Sequence, residues 1–388
     1  MERKKIAVIL SRFPYPIDKG DKLRAYHQIR CLSLNHDIYL FALADVAPTE
    51  NDLHAMQPFC KEMKVYTLRK IEIAIQVMRS FLQSLPVQSL YFYSSRIAQQ
   101  LQLDLNQVHP DVVYCQLSRT AFYGKDVDCL RVLDFQDAFA MNYDRIQAQS
   151  KGLKQWFYKR ESALMRQFEA NILRWFDYTT IISDFDKSKL SVQPNDCVVV
   201  GNGIDTKYFT PKTSTKKYDV FFAGNLNYLP NKLALQFLLK EIFPLLLKSK
   251  PDITIQISGG YPKEFHALAN KYPKNIFLQG WVDDIRVAYA ESRVFVAPLF
   301  TGAGVQNKIL EAMSMMIPCV TTPVVNASLN AIENKHLYLA HDAITFQEKI
   351  LYALGHSDQV KSLTEQAKAF VHENFCWEKN SKKLEQLF

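Results

Sequence analysis

VFVAPLFTGAGVQNKILEAMSMMIPCV, residues 294–320, is the stretch whose reading decides the fold. Residues 294–297 form a short apolar run suited to a buried strand, and Gly302 and Gly304 interrupt the loop that follows. The spacing over 307–315 predicts a helix, and 318–320 a second strand. Without a Cβ at the glycines, the loop's N–H groups can turn together toward one point. The helix aims its positive end at the same point, which suits a phosphate. Lys308 falls in the first helical turn, and Glu311 lies three residues on, near the same face. Strand, anion-ready loop, lysine and carboxylate together describe a pocket for a sugar nucleotide. The plainer reading of the same residues is a βαβ unit with a glycine turn and a solvated Lys–Glu pair.

The whole chain sets wider bounds. It has 388 residues, 48% of them hydrophobic, which is enough for two domains. Its net charge of +8 is spread over both halves without a basic arm, so charge gives no pointer to nucleic acid. Seven cysteines without a CxxC pair read as reduced, mostly buried thiols, and hence as a cytoplasmic protein. No apolar run reaches the length of about 18 residues that a spanning helix needs. The opening MERKKIAVIL enters a strand directly, with an apolar run too short for a signal peptide.

The first strand, 6–10, leads into SRFPYPIDKGDKLR, where Pro14, Pro16 and Gly20 force a loop and a helix starts near Asp21. Two readings fit Gly20, Lys22 and Arg24: an anion-facing cluster, or a turn glycine beside a basic helix face. Further strands are expected at 38–43, 64–68, 111–115, 131–133 and 178–182, with helical periodicity between them. Asp134 and Asp137 follow a strand end, where open α/β sheets place ligands. Either one orients an acceptor hydroxyl there, or it caps the next helix. Residues 61–82 and 151–178 mix basic and large apolar side chains, including Trp156, Phe157, Tyr158, Trp175 and Phe176. Such runs fit an anionic membrane surface or a core-packed helix with a solvated face. Residues 198–211 read as a linker with Asn-Gly turn chemistry. Alternation then restarts: strands at 219–222, 253–257 and 276–278, a long helix over 232–248, and closing helices near 344–354, 358–373 and 376–386.

Several of these strings resemble those of a known family. G-x-G-x-Q-N-K-x-L-E-A-M, from Gly302 to Met313, resembles the donor-site signature of glycosyltransferase family 4, and GNGIDTKYF resembles its interdomain signature. PYPIDKGDKLR and GNLNYLPN resemble a bacterial exopolysaccharide-type sugar transferase subgroup. Resembling segments fall at 12–24, 169–184, 201–211, 222–231, 278–284 and 294–323. The resemblance implies an α/β protein of GT-B architecture, with two Rossmann-like domains facing a cleft. The acceptor-side domain would take 1–205, with a terminal helix at 376–388 packing back on it, and the nucleotide-sugar domain 206–375.

It also implies a retaining transfer with neither a metal nor another cofactor, from a nucleotide-sugar to a glycan or lipid-linked acceptor of cell-surface polysaccharide synthesis. The cysteines would place such an enzyme in the cytoplasm, and the basic aromatic runs at 61–82 and 151–178 would let it lie peripherally on the inner face of the membrane. Glu311 matches the family glutamate on the ribose hydroxyls, Val305 and Gln306 the N–H groups on the diphosphate, and Val282 and Asp284 the edge of the nucleobase. The departures are equally specific. The glutamate expected eight positions before Glu311 is Ala303, which leaves Asn307 to meet the donor sugar. The cationic clamp falls on Asn225 and Pro230, so Lys308 with Arg24 or Lys22 is the substitute. Asp137 stands near the place of the usual N-domain histidine. Two rivals remain: a nucleotide-sugar epimerase of the same architecture, which would yield an isomer of the donor, and a non-catalytic membrane-surface sugar-binding module, which would yield no product.

Overall fold

The computed structural model describes residues 2–190, 197–226, 228–260, 264–301 and 305–388. The chain divides into two compact units, one running up to Asn202 and rejoined by Trp377–Phe388, the other Gly203–Cys376.

Seven parallel strands build the first unit: β1 (Lys5–Leu10), β2 (Asp37–Ala44), β3 (Glu62–Thr67), β4 (Val112–Gln116), β5 (Leu130–Asp134), β6 (Tyr178–Ile181) and β7 (Cys197–Val199). Their order is β3-β2-β1-β4-β5-β6-β7. Helices cover both faces, so β1 and β4 are buried along nearly their whole length and read as continuous apolar runs. The order reverses between β1 and β4, and a crevice opens at such a point beyond the strands' carboxyl ends. The last helix, Trp377–Glu385, belongs to this unit because its apolar side chains complete the core there. Trp377 stacks on His27 at 4.9 Å, and Leu384 is buried with Leu32.

The second unit has six parallel strands: β8 (Tyr218–Ala223), β9 (Ile255–Ser258), β10 (Ile276–Gly280), β11 (Ser292–Ala297), β12 (Cys319–Thr321) and β13 (Tyr338–Leu339). Their order is β10-β9-β8-β11-β12-β13, with the reversal between β8 and β11. Val294–Ala297 is fully buried at the centre, as its unbroken apolar run requires. The helix expected over 232–248 is broken: α-helix spans Leu229–Phe237 and Phe243–Ser249, with a π turn over Leu238–Ile242 between them. Pro244 explains the break, since it lacks an N–H and its ring crowds the carbonyl one turn back. The two-residue β13 was not anticipated, being too short to show periodicity.

Candidate functional site

In the second unit the loops after β8 and β9 meet backbone to backbone. Gly259 has φ +116°, and a Cβ there would lie 2.1 Å from the Gly224 carbonyl oxygen, so only glycine fits. Asn231 then folds over Gly224, its amide nitrogen donating to the Asn225 carbonyl at 3.0 Å. Its amide oxygen accepts from the Lys308 ammonium. Lys308 lies in the first turn of helix Asn307–Ser314, which rises from the loop after β11, next to β8.

This overturns the solvated Lys–Glu pair. Burial pulls Lys308 down to about 8 against partial support from the Glu311 charge, and its ammonium stands 5.8 Å over the Phe222 ring. Glu311 is engaged instead by Tyr289, whose hydroxyl lies 3.0 Å from Glu311 Oε2 and 2.9 Å from the Lys308 carbonyl oxygen. Burial raises the Glu311 carboxyl above its ordinary range, with the Tyr289 hydrogen bond and the Lys308 charge opposing. A half-buried cation, a half-buried carboxylate and a helix N-terminus therefore share one small region at the sheet's reversal point.

Val305, Gln306 and Asn307 open this helix, where first-turn N–H groups lack intrahelical acceptors. Gly302, Ala303 and Gly304 lie outside the described residues. Asn225 is exposed on the loop after β8, and Val282 is half-buried beyond β10 beside the highly exposed Trp281. Asp284 has structural work to do. It caps helix Ile285–Glu291 through the Arg286 N–H at 3.0 Å and pairs with the Arg286 guanidinium twice at 2.8 Å. Lys212 adds a contact at 2.8 Å, and these partners hold the carboxyl far below its usual range.

In the first unit the cations proposed for phosphate already have carboxylates. Lys22 pairs with Asp18 at 3.0 Å, beside Gly20 at the exposed helix start. Arg24 is buried and grips Asp134 in a two-pronged contact of 2.6 and 3.0 Å, with its third nitrogen on Asn202 at 2.9 Å. Thr180 also donates to Asp134 at 2.9 Å. Burial disfavours the Arg24 charge, yet Asp134 more than offsets this and holds it above its ordinary value. The substitute clamp expected from Arg24 or Lys22 is thus corrected: both charges are spent within their own unit.

Nor does either aspartate cap the helix after β5. Helix Phe139–Ala148 starts at Ala138 without a side-chain cap. Asp137 is left half-buried, pushed up to about 6 by burial and by Asp186 and Asp134, against Arg24 and Arg145.

Sequence reasoning missed three residues here. Tyr289 sits in a helical segment whose periodicity says only core, and Asn231 ends the loop string GNLNYLPN, where nothing singles it out as a lysine's partner. Arg119 follows β4 with no local charge pattern to flag it, yet it is nine-tenths buried between the Phe92 and Phe139 rings, at 4.8 and 5.3 Å. Gln88, its amide oxygen turned to the guanidinium, accepts from Nε at 2.9 Å. Nη1 is buried without an acceptor, and no carboxylate pairs with Arg119 among the described residues. Burial and the neighbouring Arg12 pull it down to about 10.

Residues 217–356 match the family described as Glycosyl transferases group 1. That match lies within the second unit. The chain is a glycosyltransferase, and its two parallel α/β units are those of the GT-B fold. Solved structures agree on that fold. Anabaena HepE, solved with UDP and glucose, gives a TM-score of 0.68 at 14% identity over 99% of both chains. Sucrose-phosphate synthase from Thermosynechococcus elongatus gives 0.68 at 14% identity over 99% of this chain and 98% of that one. An uncharacterized 44.6 kDa protein in the cps region of Klebsiella pneumoniae is 24% identical over 96% of each chain. The group 1 match contains the Lys308–Asn231 and Glu311–Tyr289 contacts, so both fall within the part of the glycosyltransferase that the family defines.

Proposed function

We propose that the chain is a retaining family 4 glycosyltransferase that moves a sugar from a nucleotide-sugar to a glycan or lipid-linked acceptor in cell-surface polysaccharide synthesis. The observation that carries this reading is the start of helix Asn307–Ser314, where Lys308 and Glu311 are both half-buried, and Asn231 and Tyr289 hold them. Partly desolvating a cation and a carboxylate without pairing them to each other is unfavourable for stability alone, and such sites mark function. A nucleoside diphosphate resolves both: its phosphates meet Lys308 and the helix N-terminus, and its ribose hydroxyls meet Glu311. UDP in the Anabaena relative and the cps setting of the Klebsiella relative support the donor class and the pathway.

The chemistry follows from where charge develops. As the glycosidic bond to the diphosphate breaks, negative charge grows on the leaving oxygens. Lys308 and the oriented N–H groups of Val305, Gln306 and Asn307 then stabilise the transition state more than the ground state. The acceptor proton passes to a leaving-group oxygen on the same face, so the configuration is retained without an enzyme nucleophile. In the first unit, Asp137 would orient the acceptor hydroxyl.

A thermal-shift panel of UDP-, GDP- and ADP-sugars, followed by product analysis with glycan and lipid-linked acceptors, tests the reading. Transfer should persist in excess EDTA, because side chains and N–H groups carry the phosphate charge. Loss of activity in EDTA with rescue by Mg²⁺ or Mn²⁺ would overturn the phosphate assignment, and a product isomeric with the donor would overturn the transferase.

A further inference from the structure

Helix Lys70–Leu82 buries polar side chains beside the core-packed Ile73 and leaves an apolar stripe exposed. Its inward face carries Gln76 and Ser80, both buried, and Gln76 Oε1 has no hydrogen-bond partner. Its outward face carries Ile71, Ile75, Met78 and Leu82, at steps of four, three and four residues, which place them on one stripe. These are not marginally exposed: Ile71 is 70% exposed, Met78 62% and Leu82 84%. A second element of the same unit extends the stripe. The start of helix Gly152–Ile172 turns Leu153 (87% exposed) and Trp156 outward. The two helices join where the Phe81 ring meets Phe157 at 6.5 Å and where Arg160 donates to the Ser80 carbonyl at 3.0 Å while lying 4.5 Å over Phe81. An apolar surface this continuous does not arise from scattered exposed residues and marks a contact face.

We infer that this face docks the first unit on an anionic lipid bilayer, with Leu82, Leu153 and Trp156 entering the headgroup boundary. Charge selects the occupant. Lys70 and Arg79 flank the stripe on one helix, and Lys151, Lys154 and Lys159 on the other, all exposed. The carboxylates nearby are already matched: Glu72 takes Arg96 at 3.0 Å, and Glu161 is buried against Arg160 at 2.5 Å. A second copy would bring an equally basic rim against this one and be repelled, whereas anionic headgroups supply the missing charge while the acyl boundary takes the apolar stripe. The far end of the 151–178 run has a different role. Phe176 is buried, and Trp175 packs on Phe122 and Phe168, so that end is core.

The inference is independent of the transfer chemistry and is tested without donor. The full chain is sedimented with phosphatidylcholine vesicles, with and without about 30% phosphatidylglycerol, at low and high salt. The wild type should pellet with the anionic vesicles only, and its tryptophan emission should shift to the blue, a shift that Trp156→Phe removes. Ile71→Ser/Met78→Ser/Leu82→Ser should lose most of the binding while melting as the parent does. Leu103→Ser, an exposed apolar residue on helix Ser95–Val108, should bind as the parent. Each of Lys151→Gln and Lys154→Gln should weaken partitioning about fivefold. A wild type that stays in the supernatant, or a triple variant that binds normally, overturns the inference. So does a dimer in solution that the triple variant dissolves, which would give this face to a second copy.

Discussion

Lys308→Met separates stability from function. In the free protein, burial lowers Lys308 from its ordinary value near 10.5 to about 8, with Glu311 offsetting part of the effect. The unfolded chain then binds more protons than the folded one between those two values. Stability therefore climbs as pH rises through that window, and the full deficit is present below pH 8. A difference of about 2.5 pK units corresponds to roughly 3 kcal/mol at pH 7 as an upper bound. Removing the ammonium also gives up its hydrogen bond to Asn231, worth about 1.5 kcal/mol or more. The variant should gain about 1–2 kcal/mol at pH 7, or roughly 2–8 °C in melting temperature for a unit of this size. Above pH 10 the gain should vanish. Turnover should fall by about 10²–10³, the loss typical of a charge-stabilising donor. Binding supplies a second check: diphosphate should reprotonate Lys308, so UDP binding at pH 8 should take up about half a proton. Calorimetry in two buffers of different ionisation enthalpy reads that uptake. A variant destabilised at pH 7, turning over within about threefold of the parent, with buffer-independent heats in the wild type, would refute the assignment.

The other expectations concern neighbouring groups. Glu311→Ala should weaken UDP itself by about ten- to hundredfold. Tyr289→Phe should give a smaller loss of the same sign, and unchanged UDP affinity in a titration would move Glu311 off the ribose. Asp137, raised to about 6, contributes stability that is fully present below its unfolded value near 3.8 and lost as pH rises through 6. Asp137→Asn should therefore be more stable than the parent at pH 7 and less so at pH 4. It should also flatten the acidic limb of acceptor kcat/KM, and an unaltered limb would remove Asp137 from the acceptor. Arg119→Met should raise thermal stability, because a buried cation without a carboxylate is replaceable by an apolar side chain at a gain of about 1–4 kcal/mol. A drop in melting temperature would show that the Phe92 and Phe139 rings and Gln88 compensate it fully.

Much of the fold was legible because parallel strands buried on both faces leave continuous apolar runs. The expected strand at 6–10 is found as Lys5–Leu10, that at 131–133 as Leu130–Asp134, and that at 294–297 as Ser292–Ala297. Where an apolar run was short or a proline intruded, the reading failed, as at β13 and at Pro244. Lys308 and Glu311 were visible as types at a helical spacing, but their partners were not. Asn231 is 77 residues from Lys308, and Tyr289 is 22 from Glu311. Periodicity reports which side of a helix is apolar, and it is silent on which distant side chain closes a buried hydrogen bond. The same blindness hid Arg24. A basic residue on a helix face looks solvated until a carboxylate 110 positions away is seen to meet it.

The return of Trp377–Phe388 to the first unit has a consequence for how the molecule is made. His27 and Leu32 leave the ribosome early, but the indole that stacks on His27 and the leucine that packs with Leu32 follow only after Gly203–Cys376 has been synthesised. At translation speeds of about 5–20 residues per second, that interval is roughly ten to thirty seconds. For its duration the nascent first unit carries an open apolar groove along helix Gly20–Leu32, while the second unit, contiguous in sequence, is free to fold. The order of maturation is thus inverted: the part of the chain that emerges first is the last to close.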